Sequence, residues 1–176
     1  MKLSGTVAIL LVTIVALFAA ACGSGADSEF VTYTDNVNGF SISVPADWEP
    51  EEDESGVFFL SPTTCAEWYP FGAVTASYEE SYTSAQTYYT DIIEPVIESF
   101  NGYNLISKDN LTIDGNPAVK VVYTYIGSYG ESVQETFCIL INQQTAWLII
   151  GSCDVSCWNT YQGTFNTMAN SFHLLD

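Results

Sequence analysis

The sequence predicts an α+β fold in which one antiparallel β-sheet is sandwiched by helices. Three observations lead to this prediction. Short strand-like runs precede a helix near the middle of the chain, four closely spaced strands follow it, and an amphipathic helix comes last. Strands joined by turns of a few residues must be antiparallel neighbours, and the apolar stripe of each helix has to be buried against the sheet.

Before the first helix, we expect strands at residues 30–34, 40–44, 57–60 and 71–78. The first two runs alternate apolar and polar residues and flank Asn38-Gly39, a dipeptide typical of tight hairpin turns. The segment 49–56 is rich in acidic residues and contains Pro50, and we predict that it forms a loop.

The first helix is predicted from Thr83 to Phe100, with Thr83 and Gln86 as a capping box. Pro95 should remove one backbone hydrogen bond and kink the helix near Asp91. Asn101-Gly102 provides the stop signal. The apolar face repeats at three-and-four spacing and consists of Ala85, Tyr88, Tyr89, Ile92, Ile93, Val96, Ile97 and Phe100.

The second half of the domain is predicted to contain four antiparallel strands and a helix. The strands are expected at about 103–113, 118–127, 132–142 and 146–152. The continuous apolar run 147–150 indicates that both faces of the sheet are covered. The last helix runs from Val155 to Phe172 with Asp154 as its N-cap. Its apolar stripe consists of Trp158, Tyr161, Phe165, Met168, Ala169 and Phe172.

The N-terminus resembles a bacterial lipoprotein signal. Lys2 is followed by an apolar run from Val7 to Phe18, which is shorter than the roughly 20 residues of a membrane span. Small residues then lead to Cys22, the expected site of lipidation, although the usual Leu three positions earlier is Ala19. The alternative is an ordinary cleaved signal in which Cys22 is incidental. We therefore expect a signal peptide at 1–21, a flexible tether at 22–28 and one domain at 29–176.

The charge of the chain restricts its partners. All 21 acidic residues follow Cys22, where the basic residues are only Lys108 and Lys120, so the formal charge after cleavage is 2 − 21 = −19. Nucleic acid is excluded as a partner because phosphate binding needs clustered Lys and Arg. An anionic lipid surface is equally unsuitable, which leaves the N-terminal lipid as the expected membrane attachment on the extracytoplasmic face.

Three segments carry a family resemblance. The run from Asn38 to Trp48 (NGFSISVPADW), the turn 114–118 (DGNPA) and the closing segment 165–172 (FNTMANSF) are similar in order and spacing to motifs of PsbP/Mog1-like domains. The resemblance implies the same α/β/α sandwich and little about chemistry. Its members assist the oxygen-evolving complex in plants, bind small GTPases, or are bacterial envelope lipoproteins. The basic surface residues of the plant members have no obvious counterpart in this sequence.

The four cysteines after Cys22 predict disulfides, since an even count is typical of exported proteins. Cys153 and Cys157 flank the start of the last helix, and a spacing of four in a helical turn is within disulfide range. In the alternative, Cys138 is a buried thiol and Cys65 bridges one of the other two. Either pairing indicates a structural role and not redox activity.

Few residues point to chemistry. His173 is the only histidine, and so close to the C-terminus we expect it to be exposed and idle. The acidic residues Glu51, Glu52, Asp53 and Glu54 are weak candidates for Ca²⁺ ligands, because adjacent acids are usually a solvated run. No other cofactor is indicated. Trp68, Tyr69 and Phe71 are candidates for partner binding, against the simpler interpretation of a buried aromatic cluster.

Three functions are compatible with these observations. The first is a non-catalytic, membrane-anchored envelope lipoprotein that binds or supports another exported component. The second is an extracytoplasmic module that binds a small ligand or Ca²⁺ in a cleft between sheet and helix. The third is a hydrolase without a recognised motif. We expect the first, and we expect that the protein is not an enzyme.

Overall fold

A computed structural model describes residues 29–53 and 56–175 of the chain. Within them, seven antiparallel strands form the main sheet in the order β3-β4-β5-β9-β8-β7-β6, and β1, β2 and β10 form a small second sheet. The strands are β1 (Phe30–Asp35), β2 (Phe40–Pro45), β3 (Glu49–Asp53), β4 (Gly56–Leu60), β5 (Phe71–Tyr78), β6 (Asn104–Ile113), β7 (Asn116–Ile126), β8 (Ser132–Asn142), β9 (Thr145–Asp154) and β10 (His173–Leu174).

The predicted hairpin at the start of the domain is confirmed. β1 pairs with β2 in antiparallel register, and Gly39 adopts a φ of +76° in the turn between them. The Asp35 carboxylate accepts hydrogen bonds from the Val37 and Asn38 backbone amides. On the other side of β2 lies β10, which the sequence does not predict because two residues are too short to show a period.

The prediction of a loop at 49–56 is wrong over its first five residues. These residues form β3, which pairs with β4 at one edge of the main sheet. An edge strand tolerates Pro50 and a row of charges, because one of its sides has no neighbouring strand. The composition of this segment therefore reflects its position at the edge of the sheet.

The first helix is less regular than predicted. It consists of α1 (Ala85–Tyr88), a π-helical turn (Tyr89–Ile93) and α2 (Glu94–Glu98). The N-cap is Ser84, whose hydroxyl accepts a hydrogen bond from the Thr87 amide, so the capping box assigned to Thr83 and Gln86 is wrong. The π-helical turn contains Asp91, where Pro95 was expected to disturb the backbone.

The last helix begins as a 3₁₀ turn (Val155–Cys157) and continues as α3 (Trp158–Ser171). Asp154 caps it as predicted, since its carboxylate accepts a hydrogen bond from the Ser156 amide. Phe165, Met168, Ala169 and Phe172 are buried, which confirms the predicted apolar stripe.

The helices cover opposite faces of the main sheet, so the α+β sandwich is confirmed. α1, the π-helical turn and α2 bury a cluster that includes Tyr89, Ile97, Val121 and Ile139. α3 and β2 cover the other face, with Ile42, Cys138, Ile149 and Phe165 in its core. α3 packs directly on Gly72 and Gly151, a cross-strand pair, because a Cβ at Gly151 would lie 2.3 Å from the Phe165 ring.

Candidate functional site

Part of the main sheet is not covered by α1 and α2. Residues directly opposite each other on neighbouring strands point to the same face. One such row runs from Glu51 through Phe58, Ala73 and Ile150 to Phe137. In this row Phe58, Ile150 and Phe137 are half-buried, and Glu51 is exposed.

The adjacent row contains Glu49, Leu60, Phe71 and Ser152, followed by Glu135. Leu60 and Phe71 are half-buried, and the rings of Phe71 and Phe58 lie 6.2 Å apart. We call the half-buried apolar side chains of the two rows the aromatic face; its members are Phe58, Leu60, Phe71, Phe137 and Ile150. The exposed carboxylates of Glu49 and Glu51 border it at the β3 edge.

A buried carboxylate lies next to the aromatic face. Glu135 is 7% exposed, and three hydroxyl groups donate hydrogen bonds to it. They belong to Tyr123 at 2.5 Å, Tyr125 at 3.0 Å and Ser152 at 3.0 Å. Burial raises the pKa of Glu135 above its ordinary value although the three donors act to lower it. Burial and the neighbouring carboxylate also raise the pKa of the Tyr123 hydroxyl. The cluster holds three strands in register.

The three partner-binding candidates lie in different environments. Phe71 is part of the aromatic face. Trp68 is half-buried in a tight turn, where its backbone exchanges two hydrogen bonds with Cys65, and its indole Nε1 is buried without a hydrogen-bond partner. Tyr69 is 54% exposed. The structure therefore places only Phe71 among other half-buried apolar residues of the sheet.

The pairing of Cys153 with Cys157 is wrong, and the alternative, in which Cys65 bridges one of the other cysteines, is confirmed. Cys65 bonds to Cys157, with a Cα–Cα distance of 6.3 Å, while Cys138 and Cys153 are free and buried. The pairing of Cys153 with Cys157 assumed a helical turn, but Cys153 is in the extended strand β9. Burial raises the pKa of the Cys138 thiol to about 11 and that of Cys153 to about 12, so both stay protonated and unreactive at neutral pH.

The structure does not bring the candidate Ca²⁺ ligands together. Alternation along β3 directs Glu51 and Asp53 to one face and Glu52 to the other. Glu52 accepts a hydrogen bond of 2.6 Å from the Tyr33 hydroxyl. Glu54 lies outside the described residues. Within the part of the chain that the structure describes, no group of three or more His, Cys, Asp or Glu side chains could hold a metal ion.

His173 is exposed and bonded to an acidic residue. Its Nδ1 lies 2.6 Å from Asp114 Oδ1, and Asp114 Oδ2 accepts a hydrogen bond from the Leu174 amide. The pair attaches β10 to the turn between β6 and β7. Burial acts to raise the pKa of Asp114, but the Leu174 amide and His173 outweigh it and hold that pKa below its ordinary value. This arrangement explains His173 as a structural residue.

Most of the aromatic face and the whole Glu135 cluster were missed by sequence reasoning. The apolar run 147–150 predicts cover on both faces, whereas Ile150 is half-buried beside Phe137. Glu135 is an acidic residue within a strand of mostly buried residues, and that contrast was an available signal. Which hydroxyl groups surround it depends on strand register, which the sequence does not specify.

The N-terminal features lie outside the described residues: the signal peptide 1–21, Cys22 and the tether 22–28. From residue 29 to 53 and from 56 to 175, no helix combines the length and the apolar character that crossing a membrane requires.

The fold is similar to several solved structures. Cyanobacterial PsbP (CyanoP) from Synechocystis sp. PCC 6803 is 19% identical, with a TM-score of 0.61 over 88% of this chain and 98% of that chain. LpqN of Mycobacterium tuberculosis, described as involved in cell envelope biogenesis, is 12% identical, with a TM-score of 0.64 over 84% and 91%. The Saccharomyces cerevisiae Ran-binding protein Mog1p is 9% identical, with a TM-score of 0.64 over 85% and 97%.

The sequence of the chain matches a protein family. No curated protein matches the chain. The family described as PsbP-like protein matches residues 22–174, which is nearly the whole length after Cys22. This match confirms the resemblance seen in the three sequence motifs. The chain belongs to the PsbP-like family.

Proposed function

We propose that this protein is a non-catalytic lipoprotein, anchored through Cys22 outside the cytoplasm, whose aromatic face binds another exported protein. The observation that carries the proposal is the aromatic face itself. Phe58 and Phe71 are half-buried on a part of the sheet that α1 and α2 leave uncovered, and Phe137 lies at its border, where it packs against the cluster beneath α1 and α2. Half-buried aromatic residues flanked by polar groups are typical of protein-binding surfaces.

The charge of the domain indicates what kind of partner fits. Glu49 and Glu51 are exposed beside the aromatic face, and the chain carries a formal net charge of −18. A partner surface that combines apolar residues with Lys or Arg would complement both features. Electrostatic attraction of this kind raises the rate of association and weakens as salt concentration rises.

The relatives support a binding role. One is named for binding Ran and another for involvement in cell envelope biogenesis. The first indicates that this fold can present a protein-binding surface, and the second is consistent with a location in the envelope.

Cell fractionation tests the anchor. The wild-type protein should fractionate with the membrane and carry a lipid on Cys22, whereas Cys22→Ser should appear in the soluble exported fraction. Membrane retention of Cys22→Ser at the wild-type level would contradict the anchor. It would leave the binding surface open to a separate test.

Co-purification from the native envelope tests the binding surface. Phe71→Glu should lose a specific co-purified protein, because a buried charge is costly in an apolar interface. Tyr129→Glu is the matched control, since Tyr129 is 94% exposed and lies in the turn between β7 and β8, away from the aromatic face. Thermal unfolding of both variants separates loss of binding from loss of fold. A folded Phe71→Glu protein that retains every wild-type partner would contradict the proposal.

A further inference from the structure

A second surface lies on the opposite face of the sheet, between α3 and strands β6, β7 and β8. It is a groove with a volume of about 260 Å³. The residues that determine its chemistry are Trp158, Gln162 and Asn166 on α3 and Asp109, Lys120 and Gln134 on the strands. The groove and the aromatic face lie on opposite faces of the sheet. Gln134 points into the groove, whereas its neighbour Glu135 points to the side of the aromatic face.

The helix wall of the groove carries no charge. Trp158, Gln162 and Asn166 are four residues apart and so share one stripe of α3. None of the 14 residues of α3 is charged, although the chain has 21 acidic residues. Its polar groups are amides and hydroxyls. An acidic domain thus presents a neutral, amide-rich surface at this groove.

The strand wall adds a buried amide and balanced charges. Gln134 is 7% exposed and lines the groove from β8. Lys120 donates a hydrogen bond to the side-chain oxygen of Asn166, which fixes one amide relative to the sheet. Asp109 lies opposite Lys120 in the pairing of β6 with β7. The two charged groups of the groove therefore have opposite signs.

These features select a neutral ligand that is rich in hydroxyl groups. Each amide side chain offers both donors and an acceptor, which matches hydroxyl groups that donate and accept at once. The half-buried indole of Trp158 offers an apolar surface with a polar edge. An anionic ligand would be repelled by the net charge of the domain. Asp109 and Lys120 balance each other in the lining, so the groove itself does not select a cation. The volume lies just below the roughly 300–1,000 Å³ of drug-sized sites, which suits a small ligand.

We propose that this groove binds a neutral saccharide, either a soluble glycan or the headgroup of a glycolipid. The site is independent of the aromatic face, so it stands or falls separately from the protein partner proposed above.

Isothermal titration calorimetry with the full-length protein in phosphatidylcholine nanodiscs tests this proposal. The probes are maltose, cellobiose and chitobiose, with glycerol as a small polyol control. At least one disaccharide should bind with an affinity well above that of glycerol. The absence of heat from all three at millimolar concentrations would overturn the proposal.

Variants of α3 locate the binding. Trp158→Ala should weaken binding by about tenfold or more, equivalent to 1.4 kcal/mol. Because Trp158 also packs on Phe165 at 5.7 Å, Gln162→Ala provides a second variant at an exposed position that should not disturb the fold. Thr160→Ala is the matched control on the same helix, exposed and outside the groove. Equal affinity of Gln162→Ala, Thr160→Ala and wild type would contradict the assignment to this groove.

A neutral glycolipid in the nanodiscs distinguishes the two sources of saccharide. If a lipid headgroup occupies the groove, digalactosyldiacylglycerol should lower the apparent affinity for the free disaccharide. If affinity is unchanged, the ligand is a soluble or polymeric glycan. Both results presuppose disaccharide binding in the groove, and they differ only in where the saccharide comes from.

Discussion

The hydroxyl of Tyr123 donates a 2.5 Å hydrogen bond to the buried carboxylate of Glu135 on the neighbouring strand. Tyr125 and Ser152 donate to the other carboxylate oxygen, so one acidic residue connects β7, β8 and β9. A buried carboxyl group is costly in its charged form unless it is well bonded. The pKa of Glu135 is raised because burial outweighs the three donors.

This raised pKa predicts how stability depends on pH. The folded state binds the Glu135 proton more tightly than the unfolded state, whose pKa is about 4.3. The protonated carboxyl therefore favours folding below that pH, and this contribution is lost as pH rises through the folded-state pKa. Glu135→Gln keeps the shape without the charge and should be more stable than wild type at pH 7. The difference should shrink at pH 4, as measured by urea denaturation.

Glu135→Ala is the companion variant. It leaves three hydroxyl groups without their acceptor and should lower the free energy of unfolding by about 2–3 kcal/mol at pH 7. If Glu135→Gln and Glu135→Ala were equally destabilising at pH 7, the charge of Glu135 would be required for folding. That result would contradict the view that the charged carboxylate is a cost to the folded state.

The Cys65–Cys157 disulfide should contribute substantially to stability. It links residues 92 positions apart, and closing a long loop restricts the unfolded chain. Replacing both residues by Ser should lower the free energy of unfolding by about 2–5 kcal/mol. Peptide mapping without reduction should recover a Cys65–Cys157 peptide and two thiols, Cys138 and Cys153, that alkylate only after denaturation. A Cys153–Cys157 peptide would contradict the structure.

Gly151 is required for the close approach of α3 to the sheet. A Cβ at this position would collide with the Phe165 ring, so Gly151→Ala should destabilise the protein by about 1–3 kcal/mol. Gly163 lies in α3, and a Cβ there would have no atom within 4 Å. Gly163→Ala should therefore raise the free energy of unfolding by about 0.5–1 kcal/mol. Thermal unfolding of the two variants measures both effects. If both substitutions shifted the melting temperature in the same direction, the close packing of α3 on Gly151 would be contradicted.

Asp114 should contribute stability that acid removes. Its pKa is held below the ordinary value, so the contribution is present above the unfolded-state pKa of about 3.9 and lost as pH falls through the lower folded-state pKa. Asp114→Asn should lower the free energy of unfolding by about 1 kcal/mol or less at pH 7, since the pair with His173 is exposed. Asn tolerates the left-handed backbone found at this position. A difference that persists unchanged at pH 2 would contradict this assignment.

The sequence was most informative where local patterns decide the structure. The hairpin around Asn38-Gly39, the cap at Asp154 and the stripe of α3 all follow from a few consecutive residues. The family resemblance and the sandwich rest on the order of such elements. The individual elements could be predicted because the chemistry of turns and helix caps acts over only a few positions in the sequence.

The wrong or missing predictions concern features that depend on contacts between distant parts of the chain. Glu49 to Asp53 have the composition of a loop, but pairing with β4 makes them an edge strand. Cys157 bonds to Cys65 because the fold brings a distant loop to the start of α3, and spacing along the chain carries no trace of that contact. The aromatic face depends on the register of β4, β5, β8 and β9, which places Phe58, Phe71 and Phe137 on one side of the sheet.

Site-specific photocrosslinking in living cells tests the central claim most directly. A photoreactive amino acid placed at Phe58 or Phe71 should crosslink to the same exported protein, and one placed at Tyr129 should not. The yield should fall as the salt concentration of the medium rises, because the partner is expected to carry Lys or Arg opposite Glu49 and Glu51. Crosslinks from Tyr129 but from neither Phe58 nor Phe71 would contradict the claim that the aromatic face is the partner-binding surface.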